Sequence, residues 1–126
     1  MALLLDTAVV IHLRDGDAEI HARLAAVREP VMISSITLVE LEGGIDEPDL
    51  PLRRERLRVV LEPMIVLTFG PIEARAYGRI IQAVGYSRRK VLDRMIAAQA
   101  LASGASLATS NGADFRDIPG LNLIVW

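Results

Sequence analysis

Short apolar runs alternate along this chain with longer stretches whose apolar residues recur every three to four positions. The short runs are "ALLLD" (2–6), "VMIS" (31–34), "MIVLT" (64–68), "SLAT" (106–109) and "NLIVW" (122–126). The first is a continuous apolar run that fits a strand covered on both faces, the second reads as another buried strand, and the other three read as strands. Between them lie helical patterns with readable ends. "TAVVIHLRDG" stops at Gly16. "DAEIHARLAAVRE" (17–29) opens on Asp17, has apolar residues at 20, 24 and 27, and is followed by Pro30. "ITLVELEGGI" is ended by paired glycines. Asp49 and Pro51 open "LPLRRERLRVVLE", with leucines at 52, 57 and 61 on one side and arginines on the other. Pro71 starts the next helix and Gly85 closes it, and "DRMIAAQALASG" (93–104) ends on a C-terminal glycine.

This alternation predicts an α/β fold: a parallel sheet of about five strands with helices on both faces, hence three α/β/α layers. With no linker, internal repeat or low-complexity segment, residues 1–126 are expected to form a single domain. Ligands of such sheets bind outside the carboxyl ends of the strands. That rule directs attention to four acids. Asp6 ends the first strand, and Glu40 sits in the helix after the second. Asp93 begins the helix leading into the fourth strand, and Asp114 lies in the loop just past it.

Composition removes several chemistries. The chain has no cysteine, so disulfides, thiolate metal sites and Cys nucleophiles are excluded together. His12 and His21 are the only imidazoles, too few for a histidine-rich zinc site. No apolar run approaches the ~18 residues of a membrane span, and "MALLLD" is too short for a signal peptide. A soluble, cytoplasmic protein without membrane association is expected. The net charge of -2 hides clustering: eight of fourteen basic residues fall in "RRERLR" (53–58) and "RRKVLDR" (88–94), and thirteen of the fourteen are Arg. Arg codon use in a GC-rich genome explains that excess as well as phosphate binding does.

Taken singly, each acid has a structural reading. Asp6-Thr7 is good turn chemistry, Thr37-x-x-Glu40 fits a capping box, Asp93 could cap a helix, and Asp114 follows the turn-forming Asn111-Gly112. Together they say more. Asp6 closes an apolar segment where an unpaired charge is costly to bury. Several carboxylates at one edge of a sheet repel, and stay partly protonated unless a cation neutralises them. The fitting cation is hard and oxygen-loving, Mg²⁺ or Mn²⁺. Such an ion activates water and stabilises phosphoryl charge, which is nuclease chemistry.

Four motifs, "LLLDT" at the start, "VELEGG" (39–44), "DRMIAAQAL" (93–101) and "ATSNGADF" (108–115), resemble in order and spacing the acidic motifs of PIN-domain ribonucleases. The resemblance spans essentially the whole chain, including the closing "IPGLNLIVW", and is strongest to VapC toxins of VapBC toxin–antitoxin modules. It implies a PIN-like sandwich and metal-dependent endonucleolytic cleavage of structured RNA such as tRNA or rRNA. It also implies a homodimer, and a small VapB-like antitoxin whose C-terminal segment inhibits the site. The resemblance makes Asp6, Glu40, Asp93 and Asp114 the catalytic acids, with Asp6 and Asp93 as metal ligands. Thr109 and Asn111 would support the loop. Many relatives carry a further acid where this chain has Val91, which argues against a full second metal site.

Rival readings meet specific obstacles. A haloacid-dehalogenase-like phosphatase wants a second Asp two residues after the first, where Ala8 stands. A phosphoacceptor receiver domain wants a Lys near its last strand, and the only lysine, Lys90, precedes the fourth. A catalytically inactive PIN scaffold that only binds RNA or a partner is opposed by the presence of all four acids. Of the basic residues, Arg88, Arg89, Lys90 and Arg94 are the candidate RNA contacts, while Arg53–Arg58 read better as solvated surface.

Overall fold

The computed structural model describes residues 2–44 and 50–126. Five strands, β1 (Leu3–Leu5), β2 (Val31–Ser34), β3 (Ile65–Leu67), β4 (Ser106–Thr109) and β5 (Leu123–Val125), form one sheet in the order β3-β2-β1-β4-β5. Every pairing is parallel. Leu4 pairs with Met32 on one side and Leu107 on the other, so β1 is central. The strand order therefore reverses between β1 and β4, which places the crevice for a ligand at their carboxyl ends.

Among the described residues six α-helices cover the sheet: α1 (Thr7–Arg14), α2 (Ala18–Ala25), α3 (Ser35–Gly43), α4 (Leu50–Leu61), α5 (Pro71–Val84) and α6 (Val91–Ser103). Alternation along the strands divides the core in two. Leu3, Leu5, Ile33 and Ala108 pack with Val9, Val10, Leu13, Ile20, Leu41 and Leu57 of α1 to α4. Leu4, Met32 and Leu107 pack on the opposite face with Ala76 and Ile80 of α5, Ile96 to Ala98 of α6, and Phe115. Three α/β/α layers result, as the sequence pattern predicts.

Helix ends follow their local chemistry. Asp17 accepts from the Ile20 amide at 3.1 Å and opens α2, and Gly16 before it adopts φ 82°. Pro71 opens α5, where the Gly70 amide donates to Glu73 at 3.0 Å, and Gly85 (φ 81°) turns the chain out of it. Two details depart from expectation. α6 starts at Val91, two residues before Asp93, because Arg88–Lys90 already form a 3-10 turn that feeds it. In α4, Leu57 and Leu61 join the core but Leu52 is exposed. Five residues advance a helix by about 500°, so positions 52 and 57 lie some 140° apart. Asp49, read as part of the start of α4, lies outside the described residues.

Candidate active site

The sheet delivers the four acids to the carboxyl end of its central strands. Asp6 follows β1 and is 4% exposed. Its amide donates to the carbonyl of Ala108 on β4 at 2.9 Å, which fixes its backbone to the neighbouring strand. Its carboxylate accepts from two donors: the Thr7 amide at 2.8 Å, at the entry to α1, and the Thr109 hydroxyl at 2.8 Å, at the end of β4. The turn reading of Asp6 is thus right locally but incomplete, because the second donor lies 103 residues away along the chain. Burial pushes the Asp6 carboxyl above the ordinary Asp range. The two hydrogen bonds oppose that rise, and the charges of Glu40 and Asp114 add to it.

Glu40 reaches the site from α3, and the capping-box reading fails. Ser34 caps this helix instead, accepting from the Ile36 amide at 2.9 Å, so Thr37 and Glu40 lie beyond the cap. Glu40 Oε1 accepts from the Thr7 hydroxyl at 2.8 Å, and Thr7 also shares a 2.9 Å hydrogen bond with the buried Thr37. Thr7 and Thr37 are the supporting residues that sequence reasoning missed. Their signal was present: Thr7 is adjacent to Asp6, and Thr37 sits one turn before Glu40.

Asp93 is not a helix cap. It is the third residue of α6, and Lys90 holds the position before the helix. Its carboxyl is pushed up to about 6, first by burial and then by the charges of Asp6, Asp114 and Glu40, with Lys90 pulling the other way. One carboxylate senses the three others. That makes the acids an electrostatic unit and not four isolated cap or turn residues.

Asp114 belongs to a short 3-10 turn, Gly112–Asp114, after β4. The Thr109 hydroxyl, which holds Asp6, also accepts the Asn111 amide at 2.9 Å, and the Asn111 side chain donates to Asp114. A chain of contacts therefore runs from Asp6 through Thr109 and Asn111 to Asp114. Gly112 is required by close approach: a Cβ there would lie 2.8 Å from Cγ2 of Val125 on β5. Thr109→Val keeps the shape of this link and removes both hydrogen bonds. It is expected to destabilise the protein by about 1–3 kcal/mol, since a buried carboxylate loses a donor. An unchanged urea midpoint would return Thr109 to a packing role.

Asp93 and Asp114 line a cavity of about 350 Å³ with Ser87, Arg89 and Lys90. Two cavities of about 440 Å³ lie elsewhere, one lined in part by Leu13, Glu55 and Val59, the other by Leu3, Val27 and Trp126. Chemistry and not volume selects the smaller one, because two of the four acids, Asp93 and Asp114, line it. Arg89, which lines it, and the neighbouring Arg88 are exposed and form no ion pair among the described residues. Arg54 and Arg58 are instead paired with Glu42, Glu55 and Glu62, which supports the solvated-surface reading of that patch. Arg94 is a correction. It is 3% exposed and bonded to Gly85 and Asp117, so it cannot join a phosphate-facing surface.

Among the described residues no three Asp, Glu or His side chains converge enough to hold a metal ion by themselves. The donor set still fits a hard cation. Mg²⁺ retains several waters and needs only one or two carboxylates, and the mutual repulsion around Asp93 is what such an ion relieves.

A parallel α/β sheet with coupled carboxylates at its switch point, and no thiol in the chain, defines an acid-cluster protein suited to hard divalent cations. Residues 3–121 match the PIN domain, and the chain belongs to that family. It is 32% identical over 131 residues to Ribonuclease VapC1 of Rickettsia felis, covering 98% of this chain and 96% of that protein. It is 29% identical over 133 residues to the tRNA(fMet)-specific endonuclease VapC of Shigella flexneri, covering 100% and 98%. The fold is shared with the crystal structure of VapBC2 from Rickettsia felis bound to a DNA fragment from their promoter. There the TM-score is 0.89 at 24% identity, over 100% of this chain and 99% of the other.

Proposed function

We propose that this protein is a metal-dependent endoribonuclease, the toxic member of a toxin–antitoxin pair, that hydrolyses phosphodiester bonds in structured RNA such as tRNA or rRNA. The coupling of Asp93 to Asp6, Glu40 and Asp114 carries the reading. The names of its relatives as VapC ribonucleases support it. Asp6 and Asp93 would hold Mg²⁺ or Mn²⁺, and a cation there supplies an activated water and neutralises charge on the phosphoryl group. Glu40, oriented by Thr7, and Asp114, oriented by Asn111, complete the acidic pocket. They position the attacking water, directly or through bound water. The attacking water gives up a proton, the phosphorus–oxygen bond breaks, and the leaving oxygen gains one.

The direct test is cleavage of a bulk tRNA and rRNA pool by protein freed of any partner. Discrete fragments from the parent and none from Asp6→Asn are expected. Binding of RNA without cleavage would favour an inactive scaffold. The protein is proposed to act in the cytoplasm, where its substrate lies. No described helix is long and apolar enough to cross a membrane.

Exposed Arg88 and Arg89 are proposed to meet substrate phosphates at the cavity edge, with Lys90 beside them. Each phosphate contact contributes about 0.7 to the slope of log affinity against log salt for single-stranded RNA. The double replacement by Ala is expected to flatten that slope by up to about twice this amount. An unchanged slope would leave both arginines as solvated surface.

Val39 on α3, Ile72 on α5 and Leu92 on α6 are large apolar side chains left exposed. They support a homodimer, to be read by sedimentation. A small antitoxin that covers the acidic pocket is the proposed inhibitor, in line with the VapBC complexes that share this fold.

A further inference from the structure

We infer that Arg94 and Asp117 form a clamp that sets the separation of Asp93 and Asp114; both are positioning residues for the proposed metal site, and the inference rests on that reading. Asp93 and Asp114 are carried by different segments, one by the first turn of α6 and the other by the exposed loop after β4. They line one cavity, where two carboxylates repel. Phe115 packs against α6 in the core and Asn111 holds the Asp114 side chain, and a polar tie between α6 and the loop adds a fixed spacing to that packing.

Arg94 provides that tie. Its Nη1 donates to the Gly85 carbonyl at 2.6 Å, where the chain turns out of α5, and its Nη2 donates to Asp117 at 3.3 Å. The same Asp117 oxygen lies 3.9 Å from Lys90 Nζ. Asp117 is three residues beyond Asp114, and Phe115 and Ile118, which flank it, are 1% and 5% exposed in the core. One guanidinium therefore joins the α5–α6 turn, the start of α6 and the Asp114 loop. Those are the three segments that wall the acid cavity.

The energetics argue that the charge serves more than packing. Arg94 is almost fully buried and its Nε has no hydrogen-bond partner, while Asp117 keeps a side chain 40% exposed. A buried guanidinium with an unfilled donor and a wet partner pays a large desolvation cost, and an apolar residue of similar length often does better for stability alone. Its placement at the junction of the cavity walls is explained by spacing. Groups that orient metal ligands from behind typically cost about 10–100-fold in metal affinity or activity when removed.

The test compares the parent with Arg94→Met, Arg94→Lys and Asp117→Asn, by thermal melting, RNA cleavage, and Mn²⁺ binding without RNA from the free-ion electron paramagnetic resonance signal. Arg94→Met is expected to melt at or above the parental temperature. It should bind Mn²⁺ about tenfold more weakly, and lose kcat by about 10–100-fold with KM for RNA little changed. Arg94→Lys, which can still reach Asp117 with one donor, should recover part of both losses. Asp117→Asn leaves the buried guanidinium without its carboxylate and should melt below the parent, but it should repeat the losses in Mn²⁺ binding and kcat, and stands as the deciding variant if Arg94→Met does not fold. Equal Mn²⁺ binding by the parent and the deciding variant overturns the clamp, whatever the cleavage result. A parent that cuts no RNA but shows the Mn²⁺ difference overturns the ribonuclease reading and upholds the clamp.

Discussion

Asp93→Asn is expected to make the metal-free protein more stable and to lower RNA cleavage on the order of a thousandfold. The two effects share one cause. Burial and the charges of Asp6, Asp114 and Glu40 raise the Asp93 carboxyl to about 6, above its ordinary value. The native state therefore holds this proton more tightly than the unfolded chain does. At pH 7 both states are ionised at this position, and the native state carries the full penalty of the crowded charge. As pH falls through 6 toward 4 the native carboxyl protonates first, and the penalty is relieved. A rise from the ordinary Asp value to about 6 corresponds to roughly 3 kcal/mol at most, and partial exposure to solvent reduces it to about 1.

Asn at this position is neutral at every pH. The helix N-terminus favours the anion by about 0.3–1 kcal/mol, which trims the gain without reversing it, since the carboxyl is raised overall. Asp93→Asn should thus melt above the parent at pH 7 in EDTA, and the gap should narrow below pH 6 and close as pH falls to about 4. The loss of cleavage follows from the role of the same oxygen as a ligand. A metal site supplies several kcal/mol of transition-state stabilisation, and about 1.4 kcal/mol corresponds to each tenfold in rate. A variant that melts like the parent at both pH values and still cuts RNA would remove Asp93 from the site.

The elements were legible because each strand is short and mostly apolar and most helices have a marked end. The site was legible to the extent that switch-point geometry turns strand ends into a meeting place. Asp6 and Asp114 could be brought together that way because β1 and β4 are neighbours. What stayed hidden depended on pairing between distant segments. Thr37-x-x-Glu40 has the form of a capping box, but Ser34 takes the cap first and shifts the frame of the helix. The hydrogen bond from Thr7 to Glu40 then links α1 to α3, which no local pattern predicts.

Arg94 is different, because its burial could have been read. It lies three and four residues before Ala97 and Ala98, both fully buried, and on the same helical face. Grouping it with Arg88, Arg89 and Lys90 by charge ignored that periodicity. The chain leaves the 3-10 turn at Lys90, so the basic run splits into an exposed edge and an internal clamp.

Chelation is expected to abolish cleavage, and the stabilisation given by Mn²⁺ should depend on pH in a direction fixed by Asp93. An ion that binds only the native state stabilises it by about 2.7 kcal/mol when present at 100 times its dissociation constant. A change of that size should raise the melting temperature of a domain this small by roughly 10 °C. Mn²⁺ must find Asp93 ionised. At pH 7 a carboxyl with its pKa at about 6 is mostly ionised, and the full effect is available. At pH 5 about nine-tenths of these carboxyls carry a proton that the ion must displace, so the apparent affinity falls about tenfold. The same Mn²⁺ concentration then stabilises by only about 1.4 kcal/mol, and the shift in melting temperature should roughly halve. Asp93→Asn should show little Mn²⁺ response at either pH. Two outcomes would defeat this account: cleavage that survives excess EDTA in protein free of contaminating nuclease, or a parental Mn²⁺ shift as large at pH 5 as at pH 7. The first would end the metal mechanism, and the second would show that Asp93 is not among the groups the ion must deprotonate.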